Sequence, residues 1–335
     1  VSEPAGPGEF DLIARYFAPL AAGEPGALGL LDDAAVLAVD AGSELVLTAD
    51  ALVAGVHFRH RDAPGQVAQK ALRVNLSDLA AKGARPRGYL MTLALAPAND
   101  EAWIAAFTDG LAQDQQRFSI ALLGGDTVAT PGPATISITA LGIAPKGGAL
   151  RRSAACAGDD VYVSGTIGDG YLGLHTDSTA FAKLDVADRR ALGQRYLVPE
   201  PRIGLGLALG QSGVAHAAAD VSDGLVADLG HICTASRLDA TIDAGRVPLS
   251  AAAGRALAAG LAGLEQVLCG GDDYEIIFTA PPAARPEIDR LAGADGVAIS
   301  RIGRMEACLG DAPAVRVTGP DGRLMRIAKS GFAHF

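Results

Sequence analysis

Aspartates stand in this chain beside glycine turns and at the ends of apolar runs, where neither a packed core nor a solvated surface calls for them. Asp33 opens one run in Leu31-Asp32-Asp33-Ala34-Ala35-Val36, and Asp50 closes another in Thr48-Ala49-Asp50. Asp126 follows Ser119–Leu123 in Gly124-Gly125-Asp126-Thr127, and Asp220 and Asp223 precede a helical pattern in Ala219-Asp220-Val221-Ser222-Asp223-Gly224. Asp78 adds a carboxylate from within a helical pattern. Two such charges 4 Å apart repel by about 1 kcal/mol in water and more at lower dielectric, so a fold that gathers them needs cations to join them. The donors are oxygens, which suits hard cations such as Mg²⁺, and the usual reason to hold several is to handle phosphate.

The chain has 335 residues, too long for one ordinary core, and suggests two domains. A formal net charge of −10 argues against nucleic acid or an anionic membrane as partner, so an anionic substrate would need metal escorts. The longest uncharged stretch, Thr127–Pro145, is broken by Pro131, Gly132 and Pro133 and reads as a turn followed by a strand, not a membrane span. Val1-Ser2-Glu3-Pro4 lacks the basic and apolar regions of a signal peptide, and a soluble cytoplasmic protein is expected. Cys156, Cys233, Cys269 and Cys308 are widely spaced and read as reduced, buried thiols.

Periodicity gives mixed helices and strands throughout. An amphipathic helix is expected over Glu9–Phe17, strands at Ala34–Val39 and Glu44–Thr48 with the second leading into Leu52–Phe58, and a helix capped by Asp62 with Pro64 reaching about Lys82. Ala71, Asn75, Asp78 and Lys82 fall on one side of it. Strands follow at Tyr89–Leu95, Ser119–Leu123 and Ala134–Ile143, with a helix capped by Asn99 between the first two. Pro145-Lys146-Gly147-Gly148 is the linker candidate, dividing the chain into domains 1–146 and 147–335. The second part repeats the mixture, with strands at Asp160–Ser164, up to Asp220, at Ala240–Ile242 and at Glu275–Thr279. Its helices are expected after Gly170 and Gly224 and at Arg202–Gln211 and Ala251–Leu261, and a Pro320-Asp321-Gly322 turn joins a final hairpin of Val315–Thr318 and Leu324–Ile327.

Phosphoryl transfer asks for in-line positioning and charge neutralisation, with little covalent work for the protein. No Gly-x-x-x-x-Gly-Lys-Ser/Thr cradle occurs, nor a convincing Gly-x-Gly-x-x-Gly, so positive charge must come from metals and from basic residues such as Arg152. Gly124-Gly125-Asp126-Thr127 and Gly270-Gly271-Asp272-Asp273 let backbone N–H groups approach phosphate while a carboxylate meets a cation. Either alone is more simply a Gly-Gly turn, whereas two beside four other aspartates favour a site. Ser222 or Asp223 could serve only as a helix cap, which leaves Asp220 unexplained at a strand end. No nucleophilic Cys, Ser–His pair or phosphorylatable His is well placed, which favours direct transfer without a phosphoenzyme. His57, between Val56 and Phe58, is on its own an ordinary satisfied histidine, and the other histidines form no zinc-type pair.

Taken in order, these residues resemble the thiamine-monophosphate kinases. The match runs from Gly8-Glu9-Phe10-Asp11-Leu12-Ile13 through Asp32–Ala35, Thr48-Ala49-Asp50, Gly55-Val56-His57-Phe58 and Lys70–Ala81 to Gly124–Thr127. It continues through Arg152-Ser153, Val198-Pro199, Pro201-Arg202, Asp220–Leu225 and Gly270-Gly271-Asp272-Asp273-Tyr274-Glu275 to Gly331-Phe332-Ala333-His334-Phe335. The resemblance implies the aminoimidazole ribonucleotide synthetase-like fold: an N-terminal α/β domain that pairs with its twin in a homodimer, and a C-terminal α+β domain, with ATP and its metals between them. By position it implies a Mg²⁺ shell of Asp33, Thr48, Asp50, Asp78, Asp126, Asp220 and Asp223, with Ala49 contributing its backbone. K⁺ is a further candidate cation. It implies nucleotide contacts from Gly125, Arg152 and Ser222, and contacts to thiamine monophosphate from His57, Asp272 and Phe332.

Three positions depart from the family pattern. Asp272 stands where a glutamate is usual, Phe332-Ala333 where Tyr-Asp is usual, and Leu30-Leu31 where Ile-Gly is usual in Gly-Ile-Gly-Asp-Asp; the first two touch the expected substrate pocket. Other ATP-dependent enzymes of the superfamily are the runners-up. The first cysteine here is Cys156, which disfavours the selenophosphate synthetases, and the end Ala333-His334-Phe335 lacks the functional Cys of the hydrogenase-maturation dehydratases. A non-catalytic nucleotide or thiamine sensor would need a decayed metal shell, and the carboxylates are all present.

Overall fold

Ser43–Val53 forms a single long strand, β1, where the periodicity suggested two runs, because alternation continues unbroken from Leu45 to Leu52. The structure, a computed structural model, describes residues 8–332. Its contacts divide the chain into two compact units, Val1–Leu79 with Arg85–Lys146, and Ala80–Ala84 with Gly147–Phe335.

In the first unit β1 is joined by β2 (Arg85–Leu95), β3 (Ala121–Ala129) and β4 (Thr135–Pro145) in the order β1-β4-β2-β3. β4 pairs antiparallel with β1 and with β2, while β2 and β3 are parallel, so the Glu101–Phe118 helix serves as their crossover. One face of this sheet is the core: Tyr89, Met91, Leu93, Ile136 and Ile138 are buried with Leu72, Leu76 and Leu79 of the Pro64–Ala81 helix and Phe107 and Leu111 of the crossover. The other face leaves Leu45, Leu47, Leu90 and Val128 exposed.

The second unit has a six-stranded sheet of β5 (Asp160–Ser164), β6 (Ala217–Asp220), β7 (Leu238–Asp243), β8 (Ile276–Ala280), β9 (Ile299–Ala307) and β10 (Val315–Thr318), in the order β10-β7-β9-β5-β8-β6. All its pairs are antiparallel except β10 with β7. Every residue of β5, β6 and β8 is buried, because both faces are covered. Val161, Val163, Ala219 and Ile277 pack with Leu229 and Ile232 of the Leu225–Ser236 helix, and Tyr162, Ala218 and Phe278 pack with Leu205 and Leu209 of the Ile203–Ser212 helix. β9 and the Val186–Leu197 and Arg285–Asp295 helices have no counterpart in the sequence reading.

Ala34–Val39 is not a strand: the Val36 N–H bonds the Gly26 carbonyl in the preceding 3-10 turn, and Val36 stays exposed with no ladder to join. Asp62 accepts from Arg59 N and Nε at 2.8 Å each, and at the start of the helix from Pro64 the Gln66 and Val67 N–H groups turn to the Ala63 carbonyl, so Ala63 and not Asp62 stands at the cap. The crossover helix is capped by Asp100, whose Oδ1 accepts from Trp103 N at 2.8 Å, while Asn99 bonds Ala96 N. Gly124–Thr127 lies inside β3 and not after it. The final hairpin is reduced to one bridge, Thr318 with Leu324. Cys156 is exposed; its N–H donates to Asp159, which also pairs with His216 Nδ1 at 2.9 Å and closes the turn into β5. Among the described residues no helix is long and apolar enough to cross a membrane.

Arg73 and Asp114 form a buried, two-point ion pair, at 2.6 Å and 2.8 Å, that ties the first unit's two long helices together. Removing one partner strands a charge, so Asp114→Ala is expected to destabilise by about 3–5 kcal/mol in urea unfolding. Arg73→Met/Asp114→Leu together should recover most of that loss, and a double variant as unstable as the single one would refute the assignment.

Candidate active site

Strand alternation sorts the first unit's aspartates by face. Thr48 and Asp50 share the side of β1 that carries buried Leu52, and Thr48 Oγ1 donates to the Asp78 carboxylate on the Pro64–Ala81 helix. Asp78 reaches the covered side of β1 through that bond. Asn75, expected beside it, instead donates from Nδ2 to the Ala71 carbonyl at 3.0 Å, back onto its own helix. Asp126 falls in one row with Thr92, Ser137 and Ala51 across the sheet, on the open face. There a cavity of about 540 Å³ is lined by Asp32, Asp33, Gly125, Asp126, Thr92 and Thr139, among others. The unit thus gathers Asp33, Gly125 and Asp126 in one place and Thr48, Asp50 and Asp78 on the opposite face, with Ala49 on the open side of β1.

Gly125 has a packing reason to be glycine. Its φ is +156°, and a Cβ there would lie 1.8 Å from the Met91 carbonyl oxygen on β2. The bulge between Tyr89 and Leu90 brings the two strands that close, so no side chain fits.

In the second unit β6 ends at buried Asp220, and the chain turns through Val221, Ser222 and Asp223 into the Leu225–Ser236 helix. Gly224 is the N-cap and makes no side-chain cap bond, so neither Ser222 nor Asp223 is spent on capping. That work falls to Asp228, which the sequence reading missed. One of its oxygens, Oδ2, accepts the N–H groups of Ser222, Asp223 and Gly224 at 3.0, 3.0 and 3.1 Å. Its signal in the sequence is a carboxylate in the first turn of the helix, where partial positive charge gathers. Asp223, Asp228 and His231 offer ligand atoms within 4.8 Å of one another, a grouping that histidine spacing alone did not reveal. Arg152 lies in a short 3-10 turn, its carbonyl accepting from Ser236 Oγ at 2.8 Å, and its charge acts on Asp228.

The turn after Gly270 runs along this loop. Asp272 N donates to the Ser222 carbonyl and Tyr274 N to that of Val221, each at 2.8 Å, while Phe332 N donates to the Asp223 carbonyl at 2.9 Å. Two residues expected on the substrate side, Asp272 and Phe332, are therefore bonded by their backbones to the loop bearing Ser222 and Asp223. Asp272 has φ +63°, a conformation aspartate enters more readily than glutamate, which is a local reason for the shorter residue here. Ala333 lies outside the described residues, and half-exposed Phe332 has Lys329 Nζ 5.9 Å from its ring centre. His57 sits in the turn after β1, in the first unit; its Nδ1 accepts from Val53 N at 3.0 Å, which leaves Nε2 as the proton-bearing position.

This pairing of folds, with oxygen donors at strand ends and a helix start, defines an AIR synthase related protein. Residues 31–144 match the family's N-terminal domain and residues 157–313 its C-terminal domain. A thiamine-monophosphate kinase of Caulobacter vibrioides is 47% identical over 302 residues, covering 89% of this chain and 84% of that protein, and the chain belongs to the thiamine-monophosphate kinase family. The crystal structure of thiamine-monophosphate kinase from Stenotrophomonas maltophilia K279a superposes with a TM-score of 0.76 at 42% identity, covering 88% of this chain and 90% of that one. AaThiL, solved with AMPPCP and TMP, has a TM-score of 0.76 at 29% identity over 93% of this chain and 98% of its own.

Asp228 gives the site a pH signature. Burial, and then the neighbouring Asp223 carboxylate, push it from 3.8 up to about 7. The folded protein therefore keeps a proton that the unfolded chain has lost, and the stability this confers is present at low pH and fades as pH rises from about 4 to about 7. Thermal melts of metal-free protein across that window should fall more steeply for the parent than for Asp228→Asn, which cannot ionise. Equal slopes would exclude Asp228 as the cause.

Proposed function

We propose that the chain is a thiamine-monophosphate kinase, transferring the γ-phosphoryl group of ATP directly to the phosphate of thiamine monophosphate to give thiamine diphosphate and ADP. The observation that carries this reading is end-to-end similarity to AaThiL, a protein solved with AMPPCP and TMP. The name and 47% identity of the Caulobacter relative support it.

The donor set fits Mg²⁺: carboxylates, a threonine hydroxyl and backbone carbonyls, all hard oxygen ligands. Asp33, Thr48, Ala49 through its carbonyl, Asp50, Asp78, Asp126, Asp220 and Asp223 would hold the ions, which when bound neutralise the triphosphate and polarise the transferred group; K⁺ is a further candidate. Gly125, Arg152 and Ser222 contact the nucleotide. His57 presents Nε2–H as a donor to the acceptor molecule, Asp272 receives a donor from it, and Phe332 offers a ring face. Buried Asp220 and the loop pinned by Asp228 keep their oxygens in place before anything binds, which lowers the reorganisation needed for in-line transfer.

Incubating the parent with Mg-ATP and thiamine monophosphate should yield ADP and thiamine diphosphate with no phosphoprotein. Asp126→Asn and Asp220→Asn should each lose most of that activity, on the order of a hundredfold or more, while melting no lower than the parent without ligand. A trapped phosphoprotein would rule out direct transfer, and full activity in both variants would dismiss the metal assignment.

We also propose a cytoplasmic homodimer; dependence on ATP is the ground for the compartment. β1 is an edge strand, and Leu45 and Leu47 stand exposed on the open face with Leu90 and Val128, a surface that a second copy would cover. Leu47→Arg should sediment as a monomer where the parent sediments as a dimer. A monomeric parent at micromolar concentration would remove this proposal.

A further inference from the structure

The turn that carries Asp272 is held in an unfavourable backbone conformation. Gly271, Asp272 and Tyr274 have φ of +75°, +63° and +51°, and a Cβ at Gly271 would lie 2.5 Å from the Ser222 carbonyl oxygen. Such a geometry persists only where its surroundings over-determine it, and it clusters where a fold must present a side chain rather than merely close a loop.

The surroundings here are polar and buried. Asp273, whose carboxyl is pushed well up by burial, accepts from Gly168 N at 2.7 Å and Gly170 N at 3.1 Å. Fully buried Glu275 accepts from Ser164 Oγ at 2.6 Å, from Arg195 at 2.8 Å, and from Arg202 through both Nε and Nη2. Arg195 also reaches the Asp273 carbonyl at 3.1 Å. On the half-buried side of the turn, Tyr274 Oη donates to Asp272 Oδ1 at 3.1 Å. A buried ion cluster of this kind is seldom needed for stability, since apolar residues of similar volume often serve as well. What this one adds is a single allowed position for the segment between Gly271 and Glu275.

We infer that Tyr274, by its bond to the carboxylate, and Arg195 and Arg202, through Glu275, are positioning residues that aim Asp272 at the phosphate acceptor. The inference rests on the acceptor being thiamine monophosphate. It also accounts for the shorter side chain at 272: the carboxylate's direction is set by the Tyr274 hydroxyl and the αL backbone, not by its own length.

The test measures KM for thiamine monophosphate and for ATP, with thermal midpoints, in Tyr274→Phe and in Arg195→Met/Arg202→Met/Glu275→Leu, which removes both arginines together with the carboxylate they share. Tyr274→Phe should keep the parent's midpoint and raise KM for thiamine monophosphate about tenfold while KM for ATP stays within about twofold. The triple variant should melt near the parent yet show the same selective rise, whereas Glu275→Gln alone should lose both stability and acceptor affinity. Parent-like KM for the acceptor in Tyr274→Phe, or in a stable triple variant, would show the cluster to be structural only. Equal rises in the two KM values would likewise overturn the inference. A parent that binds Mg-ATP but does not phosphorylate thiamine monophosphate would instead bring down the acceptor reading and this inference with it.

Discussion

A carboxylate taken out of water must be met by donors, and the second unit is arranged around that requirement. Asp228, Asp273 and Glu275 are all buried, and each is met differently: three consecutive backbone N–H groups for Asp228, two from the Gly168–Gly170 turn for Asp273, and two arginines with a serine for Glu275. Because most of these donors are backbone groups, satisfying the carboxylates fixes the course of the chain. The Asp220–Gly224 loop and the Gly270–Glu275 turn lie side by side as a result, joined by the bonds of Asp272 and Tyr274 to Ser222 and Val221. Loops fixed in this way can present oxygens to a cation without first having to order themselves.

The first unit meets a different constraint. Its sheet has a covered face and an open one, and the aspartates are divided between them, with Thr48 bonded to Asp78 on the covered side and Asp33 and Asp126 lining a cavity on the other. Two-residue alternation along β1 is enough to separate Ala49 from its neighbours Thr48 and Asp50. The exposed leucines of the same open face are the apolar surface that the proposed second copy would cover.

Much of this was legible in the sequence, and the reasons are local. The long helix Pro64–Ala81 and the short apolar run at Asp160–Ser164 declare themselves, and the ordered motifs point to the family to which the chain belongs. The errors fall where partners decide the outcome. Ala34–Val39 has the composition of a strand but no ladder to join, Gly124–Thr127 reads as a turn but is held in β3 by pairing with β2, and Asn99 yields its capping role to Asp100 one residue on. Among the site residues, Asp228, Tyr274, Arg195 and Glu275 went without a role, since a buried carboxylate and a solvated one look alike in one dimension.

The sequence by itself determined the chemistry available: oxygen donors at the ends of apolar runs, glycines where a backbone approaches closely, no nucleotide cradle of the usual kind, and a formal net charge of −10. Those properties follow from residue type and short spacing alone. Only the tertiary structure decided which face of the first sheet each aspartate takes, that one oxygen of Asp228 holds three successive amides, and that Glu275 draws Arg195 and Arg202 from other segments onto the turn that contains Asp272. Those depend on strand register and on contacts between residues as far as 111 positions apart, where desolvation and not local propensity sets the energy.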